Sequence, residues 1–354
     1  MSALLAFVFR RPHGIAKLII IVLLGQFRSR DYDFVADGVT TENRSIGIII
    51  PTCNRSSALV SCLQHLERQS CSDFEVVVVD DGSTDDTLER LDEYRKNSPL
   101  QLRVIRQENS GPARARNQAI AQLRSPICLM IGDDIFASPE FVHSHLIAHE
   151  KKPQKQLAVV GLTRWSDSGQ TVTPFMRWLE DSGVQFSYKD LLEGAKPDWK
   201  HFYTSNLSVK TELLREFPFN ESFRKAAAED IELGYRIHRS CGLEVEFQPE
   251  ALAHHLHPTD FRQACRRNIT VGASMRLFDE LWPDAWPANR SLFSPARRLV
   301  RDLFVKNPRL LQILTTLAET ATSLHCPNPL MRNALICYYR LGYVGGSEVA
   351  AQSI

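Results

Sequence analysis

Three acidic pairs in this chain have the residue types and positions to perform chemistry. Two of the pairs directly follow an apolar run, where adjacent carboxylates repel each other and lose hydration on burial unless a partner compensates. A single pair of this kind is often an ordinary helix cap or turn, whereas three predict a site. The pairs are Asp80–Asp81 in "VVVVDDGST", Asp133–Asp134 in "ICLMIGDDIF" and Glu229–Asp230 in "AAAEDIELG".

Each pair suits a different chemical task. A divalent cation between Asp133–Asp134 and a diphosphate would neutralise both, and hard oxygen ligands favour Mg²⁺ or Mn²⁺. Asp81, followed by Gly82 and Ser83, can accept hydrogen bonds from a planar ring that carries N–H groups, such as uracil. A carboxylate from Glu229–Asp230 could face the other side of a substrate as a general base.

Two arginines stand near the start of a predicted helix. Arg114 and Arg116 follow Gly111 and Pro112, and the N-terminus of a helix attracts phosphate oxygens. We expect them to contact phosphate, with a solvated helix surface as the alternative.

The elements that must position these residues alternate between strands and helices. Continuous apolar strands, each followed by a helix, indicate a parallel sheet covered on both faces, with ligands at the carboxyl ends of the strands. The pattern predicts strands at 46–50, 74–80, 102–107, 127–131 and 157–162, and helices at 57–69, 85–97 and 112–124. Segment 163–200 reads as irregular, a helix begins near Glu229, and the last ninety or so residues read as helical.

Composition limits the class of protein. With 354 residues, 44% hydrophobic residues and a formal net charge of +1, the chain is globular and shows no global charge that would favour nucleic acid. The eight cysteines form no CxxC pair, which predicts reduced thiols in a cytoplasmic protein.

Several nucleotide-binding folds are excluded by the residues that follow the first strand. The segment "PTCNRSS" contains neither GxGxxG nor GxxxxGK[ST]. The acidic pair of a response-regulator receiver domain would follow the first strand, not the second. A haloacid-dehalogenase phosphatase needs Asp-x-Asp, which Asp80-Asp81-Gly82 does not provide.

Five blocks together resemble the family 2 glycosyltransferases of the GT-A fold. They are "IGIIIPTCNR", "FEVVVVDDGSTDDT", "NSGPARARNQAI", "ICLMIGDDIF" and "FNESFRKAAAEDIELGYRI", within residues 45–260. The resemblance implies an α/β fold with a Rossmann-like, mostly parallel sheet flanked by helices. It also implies inverting transfer of a sugar from a nucleotide diphosphate donor, usually UDP-linked, to an acceptor hydroxyl.

The resemblance also implies roles for the donor-binding residues. Pro51, Thr52 and Arg55 would hold the nucleotide base and phosphate region, and Asp81, more than Asp80, would contact uracil. Asn206 in "YTSNLSVK" would lie near the donor sugar.

The resemblance also implies a second set of residues, which would bind the metal ion and provide the catalytic base. Asp133–Asp134 would be the metal motif, with Asp134 binding Mn²⁺ or Mg²⁺ most directly. Many relatives keep a further aspartate where this chain has Ile131. Asp230, beside Glu229, would be the catalytic base.

Two histidines in "HHLHP" match a metal or diphosphate contact of many relatives. His255 and His257 are two residues apart and would face the same side of an extended segment. An ordinary structural role remains the alternative for each of them.

The segments outside the five blocks suggest contact with a membrane. We expect an apolar and basic leader at 1–44, a catalytic domain at 45–260 and a helical region at 261–354 that contacts the cytoplasmic face of a membrane. Helices packed on the catalytic domain are the alternative.

The expected partners are a nucleotide sugar and a saccharide or glycolipid acceptor. A non-catalytic binding protein and a sugar nucleotidyltransferase of similar fold stay open.

Overall fold

The computed structural model describes residues 45–286, 295–323 and 329–345. The leader predicted at 1–44 lies outside these residues. For Arg297 and Arg298, in the helical region, the structure describes the backbone but not the side chains.

The first half of the sheet is parallel, as the continuous apolar runs predict. Its strands lie in the order β3-β2-β1-β4, and every residue of β2 and β4 is buried. The elements are β1 Ile46–Thr52, α1 Ser56–Leu66, β2 Phe74–Asp81, α2 Thr87–Asn97, β3 Leu102–Gln107, α3 Pro112–Gln122 and β4 Ile127–Ile131. The predicted bounds agree with these within a few residues.

The second half extends this sheet with antiparallel pairs. The order continues as β4-β7-β6-β8-β5, in which β6–β8 is parallel and the other pairs are antiparallel. The elements are β5 Ile135–Ala137, α4 Phe141–Lys151, β6 Leu157–Trp165, α5 Pro174–Ser182, α6 Tyr188–Leu192, β7 Asn206–Lys210, α7 Thr211–Glu216, α8 Glu229–Cys241 and β8 Glu244–His255. This gives the predicted α/β architecture.

The segment expected to be irregular, 163–200, contains regular structure. Thr173 caps α5 by accepting a hydrogen bond from the Met176 amide at 3.2 Å, and Pro174 occupies the first helical position. The cap and the proline are ordinary helix-start signals, so the prediction for this segment was wrong.

The core lies on both faces of the sheet because successive side chains of a strand point to opposite faces. Ile48 and Ile50 of β1 pack in the cluster that includes α1, whereas Ile49 packs in the cluster that includes α3. The strands are therefore covered by helices on either side, and their polar residues can emerge only at the ends.

Four helices complete the described chain: α9 Phe261–Leu281, α10 Pro295–Lys306, α11 Pro308–Ser323 and α12 Pro329–Tyr343. Asp260 caps α9, accepting a hydrogen bond from the Gln263 amide at 2.7 Å. These helices share a core with Trp165 and α5. Within the residues described above, no helix has the length and apolar character that crossing a bilayer requires.

Two glycines allow α9 and α12 to approach closely. A Cβ placed on Gly272 would lie 1.9 Å from the Tyr339 carbonyl oxygen, and one on Gly342 would lie 1.9 Å from the Ile269 carbonyl oxygen. Both obstacles are backbone atoms, which no rotamer change can move.

We predict that Gly272→Ala destabilises the protein although alanine is the better helix former. Helix propensity favours alanine by about 1 kcal/mol. A Cβ 1.9 Å from a backbone oxygen forces the helices apart, which should cost at least the upper end of the about 1–3 kcal/mol that is typical of overpacking. The melting temperature should fall by at least about 2 °C. Ala273→Leu, at an exposed position of the same helix, is the control, and a rise in melting temperature for Gly272→Ala would show the packing argument to be wrong.

Candidate active site

The polar residues of the first half meet at the carboxyl ends of β1, β2 and β4. Thr52 is the register partner of Asp80, and its hydroxyl donates to Asp133 Oδ2 at 2.7 Å. Pro51 precedes it in β1. The structure thus brings these predicted donor-site residues to one edge of the sheet.

Asp134 is the centre of a cluster of positive or ionisable groups. Arg55 Nη2 lies 2.7 Å from Asp134 Oδ2, His255 Nε2 lies 3.1 Å from it, and His257 Nδ1 lies 3.3 Å from it. Arg55 also reaches Asp133, with Nη1 3.2 Å from Oδ1. Both histidines contact the same carboxylate oxygen, which confirms that they face the same side.

The pairing of two strands from distant parts of the chain creates this cluster. Ile135 of β5 is the register partner of His255 at the end of β8, and the Leu256 amide donates to the Asp134 carbonyl oxygen at 2.8 Å. The ring of Trp165 stacks on His255, with centroids 5.3 Å apart and planes 5° from parallel. These contacts hold the imidazole beside Asp134.

The two aspartates differ in charge state because their partners differ. Burial alone would raise the pKa of Asp134, but His255, His257 and Arg55 hold that pKa well below its usual range. Burial raises the pKa of Asp133 to about 6, although Arg55 opposes the shift, and the charge of Asp134 adds to the rise. Asp134 is therefore the better anionic ligand.

The donor set around Asp134 fits a divalent cation. One carboxylate oxygen and two imidazole nitrogens, from Asp134, His255 and His257, lie within 4.8 Å of one another. Imidazole nitrogens bind first-row transition metals, and carboxylate oxygens suit Mn²⁺, so this mixed set is compatible with Mn²⁺. A cation would also replace the positive charge that Arg55 now places on the carboxylate.

The carboxylate of Asp81, which is predicted to contact a nucleotide base, already accepts three hydrogen bonds within the protein. Its Oδ1 accepts from Gln107 Nε2 and the Ser110 amide, both at 2.7 Å, and its Oδ2 accepts from the Gly111 amide at 2.8 Å. Asp80 is fully buried, and its Oδ1 accepts from the Ser83 amide at 3.1 Å. Contact of either carboxylate with the uracil of a nucleotide stays a prediction.

Sequence reasoning missed Asn54, which organises the loop after β1. Asn54 has a left-handed φ of 54°, and its Oδ1 accepts from the Thr84 amide at 2.7 Å and the Asp85 amide at 3.2 Å. It thereby joins the β1–α1 loop to the β2–α2 loop. The signal was present in "PTCNRSS", since asparagine tolerates this conformation better than most residues.

Asp230 stands at the first turn of α8, where helix geometry favours acidic residues. Burial, with the adjacent Glu229, raises the pKa of Asp230 to about 7. The residue before the helix, Ala228, has a φ of 65°, a costly conformation for alanine of the kind that clusters at functional sites. A carboxyl group with this pKa can accept a proton near neutral pH.

The two predicted phosphate-binding arginines have different environments. Arg116 is buried and its Nη1 lies 2.9 Å from Glu229 Oε1. Arg114 is half-buried and forms no ion pair with the part of the chain that the structure describes. The structure therefore places Arg116 against the acidic pair, and contact of Arg114 with a phosphate stays a prediction.

The structure does not bring Asn206 to the site. Asn206 is fully buried in β7, where its Nδ2 donates to the carbonyl oxygens of Ala251 at 2.9 Å and Leu162 at 3.2 Å. Its Oδ1 lies 2.9 Å from Nε2 of the buried His145. Burial lowers the pKa of His145 to about 4, so this network is neutral, and we assign Asn206 a structural role.

A small cleft lies beside His255, one of the candidate metal ligands. Trp165, His255 and Tyr188 line it, together with the polar side chains of Arg164 and Glu180. Burial and the nearby charge of Asp230 raise the pKa of Tyr188. The wall of the cleft thus includes one candidate metal ligand, His255, and a tyrosine that lies near enough to Asp230 to respond to its charge.

Solved structures identify the fold as GT-A. Mannosyltransferase PcManGT from Pyrobaculum calidifontis, in complex with GDP-Man and Mn²⁺, aligns with a TM-score of 0.56 at 20% identity over 85% of this chain and 88% of its own. GalNAc-T7, with UDP, GalNAc and Mn²⁺, aligns with a TM-score of 0.50 at 16% identity over 69% of this chain and 49% of its own.

Sequence comparison defines the family. The profile of glycosyl transferase family 2 matches residues 47–228, and the chain belongs to that family. Validoxylamine A glucosyltransferase of Streptomyces hygroscopicus subsp. jinggangensis (strain 5008) is 29% identical over 329 residues, covering 79% of this chain and 73% of the relative. This finding favours glycosyl transfer over nucleotidyl transfer.

We predict that Asp134→Asn removes metal-dependent nucleotide binding. The amide keeps the shape of the side chain but lacks the charge that a cation requires, so the affinity for UDP in the presence of Mn²⁺ should fall by more than about tenfold. Isothermal titration calorimetry with UDP and with GDP, each with and without MnCl₂, measures this. The matched control is Asp92→Asn, at an exposed aspartate of α2, and equal affinities for Asp134→Asn and the wild type would remove Asp134 from the metal site.

Proposed function

We propose that this chain is an inverting, metal-dependent glycosyltransferase that moves a sugar from a UDP-linked donor to an acceptor hydroxyl in polysaccharide or glycoconjugate synthesis. The observation that carries the proposal is the presence of two buried carboxyl groups with unlike partners. Asp134 is held ionised among Arg55, His255 and His257, and Asp230 has a pKa near neutrality.

Donor binding is assigned to the carboxyl ends of β1, β2 and β4. Two segments would form the sides of the nucleobase site. One is the loop that Asn54 holds, and the other is Asn109–Gly111, which Asp81 holds. Arg55 and Arg114 supply positive charge for the diphosphate. The UDP and GDP-Man of the structural neighbours support a nucleotide diphosphate of this kind.

The cation site is assigned to Asp134, His255 and His257, with Asp133 beside it. A bound Mn²⁺ or Mg²⁺ would stabilise the negative charge of the departing nucleotide diphosphate. Thr52 and Arg55 orient Asp133 through the contacts described above. The Mn²⁺ of both structural neighbours supports this assignment.

Asp230 is assigned as the general base. Its carboxylate accepts the proton of the acceptor hydroxyl while that oxygen attacks the anomeric carbon, and the nucleotide diphosphate leaves from the opposite face. Attack opposite to the leaving group inverts the anomeric configuration. Positioned base catalysis contributes roughly 10²–10⁴ in rate.

The surface around the cleft beside His255 is assigned to the sugar and the acceptor, since the cleft itself, at about 20 Å³, has room for about one water molecule. Its aromatic walls, Trp165, Phe186 and Tyr188, and its polar side chains, Arg164 and Glu180, suit a saccharide, which presents apolar ring faces and hydroxyl edges. A saccharide or glycolipid acceptor would enter here.

We predict that Asp230→Asn keeps nucleotide binding and loses transfer. The amide cannot accept the proton, so kcat should fall by about 10²–10⁴, while the affinity for UDP with Mn²⁺ stays within about threefold. In the wild type, kcat should rise with pH through about 7 and level off above it, because the base acts only when it is ionised.

The assay begins with a thermal-shift screen of UDP- and GDP-sugars with and without MnCl₂, since a ligand that binds the native state raises its melting temperature. Release of UDP or GDP from the selected donor then measures turnover. Asp190→Asn, at an exposed aspartate of α6, is the matched control. Undiminished turnover by Asp230→Asn would rule out Asp230 as the base, and the absence of any donor binding by the wild type would overturn the proposed function.

We further propose that α10 and α11 contact the cytoplasmic face of a membrane. Leu299, Leu303, Ile313 and Leu317 on these helices are 72%, 57%, 56% and 54% exposed. Residues 295–345 contain seven Lys or Arg and two Asp or Glu, a formal charge of +5. Both acids already have an arginine partner, Asp302 with Arg340 and Glu319 with Arg262, and the net positive charge of the segment matches anionic lipid.

We predict that the protein floats with vesicles that contain phosphatidylglycerol and that Leu299→Asp/Leu303→Asp reduces this binding several-fold. The acidic side chains remove apolar contact and repel the anionic surface. Leu192→Asp, at an exposed leucine of α6, is the control. Unchanged binding by the double variant would place membrane contact elsewhere in the chain, and no binding by the wild type would contradict the proposal.

A further inference from the structure

The buried ion pair between Arg116 and Glu229 joins two parts of the proposed site. Arg116 lies on α3, whose N-terminal loop provides the Ser110 and Gly111 amides that hold Asp81. Glu229 is the first residue of α8 and the neighbour of Asp230. The contact at 2.9 Å therefore links the loop at the nucleotide site to the helix that carries the base.

This pair is poorly explained by stability alone. Its two side chains are only 8% and 4% exposed, and Arg116 Nε and Glu229 Oε2 are buried with no hydrogen-bond partner among the residues described. Such pairs lose much of their attraction to desolvation, and apolar replacements are often neutral or stabilising. A partly satisfied pair next to a candidate base is better explained by an effect on that base.

Asp230 is surrounded by few groups that could set its charge state. Glu229 precedes it on α8, Arg116 faces it from α3, and the phenols of Tyr188 and Tyr203 lie close enough to feel its charge. Burial raises the pKa of both tyrosines, so they stay neutral near pH 7. Among the residues that the structure describes, the two charges with the largest effect on Asp230 are those of Glu229 and Arg116, which are opposite in sign and bound to each other.

A second contact holds the same helix start in place. A Cβ placed on Gly111, whose φ is 93°, would lie 2.4 Å from the Arg224 carbonyl oxygen. The segment before α8 therefore lies directly against the loop before α3. The guanidinium of Arg116 also lies over the ring of Phe219, 5.5 Å from its centroid. Arg116 is thus fixed on two sides while it contacts Glu229.

We propose that Arg116 and Glu229 act as a positioning pair that fixes the place and the charge environment of Asp230 without contacting substrate. The pair supplies one like charge and one opposite charge. Removing either member alone therefore unbalances the environment, and removing both restores the balance. This proposal rests on the proposed function, in which Asp230 is the base.

The test measures the ionisation of Asp230 directly. Protein labelled with carbon-13 at aspartate side-chain carboxyl groups is titrated by NMR, and the Asp230 resonance is identified by its loss in Asp230→Asn. Glu229→Gln leaves the Arg116 charge and should lower the titration midpoint by about one pH unit or more, whereas Arg116→Gln leaves the Glu229 charge and should raise it by a similar amount. Arg116→Gln/Glu229→Gln removes both charges, so its midpoint should lie between those of the two single variants.

A purely structural role would give a different pattern. Midpoints that do not move, or that move in the same direction in both single variants, would overturn the proposal. So would a double variant whose midpoint lies outside the interval between those of the two single variants. Arg116→Lys keeps the charge and should keep the midpoint closer to the wild type than Arg116→Gln does. If Arg116→Gln fails to fold, as judged by thermal melting, Glu229→Gln and the double variant still decide.

Turnover provides the second readout. The pH at which kcat reaches half its plateau should shift with the NMR midpoint in each variant, while KM for the selected donor stays within about threefold. The NMR titration needs no turnover, so failure of the proposed function, seen as absent transfer by the wild type, is distinguishable from failure of the positioning pair.

Discussion

The burial of two adjacent carboxylates at the end of β4 is the constraint on which the rest of the site depends. Asp133 and Asp134 are 4% and 6% exposed, and two such charges repel strongly in a medium of low polarity. The fold compensates Asp134 with Arg55, His255 and His257, and it leaves Asp133 with the Thr52 hydroxyl and one arm of Arg55. One carboxylate is thereby held ionised, and the other takes up protons more readily.

This compensation requires the mixed topology of the sheet. His255 is 121 residues from Asp134 along the chain, and a purely parallel sheet that ended at β4 would give it no place nearby. The antiparallel insertion of β7 leads to β6 and β8, and the short β5 then pairs with the end of β8. The register of that last pair sets His255 beside Ile135 and therefore beside Asp134. The pairing of β5 with the end of β8 thus both completes the strand order and creates the candidate metal site.

The fold and the site could be predicted from sequence to different extents. The parallel half is readable because strands buried on both faces must be continuously apolar, as in "FEVVVVD" and "ICLMI". The shared direction of His255 and His257 follows from the two-residue period of an extended chain. Contacts between distant elements carry no such local signal. The burial of Asn206 among β6, β7 and β8, the stacking of Trp165 on His255 and the contact of Arg116 with Glu229 all depend on register and helix docking that periodicity does not specify.

Asp134 and Asp230 are chemically identical side chains to which we assign opposite tasks, and their surroundings account for the difference. Asp134 has three positive or ionisable groups on one oxygen, so its burial increases the strength of those attractions and keeps it anionic. Asp230 has a like charge as its immediate neighbour, and the arginine that could offset that charge is already engaged by Glu229. Burial therefore favours its neutral form until the pH approaches 7. A cation ligand must be ionised before its metal arrives, whereas a base is most effective when its pKa lies near the working pH. The two environments meet these two requirements within one sheet edge and the helix that faces it.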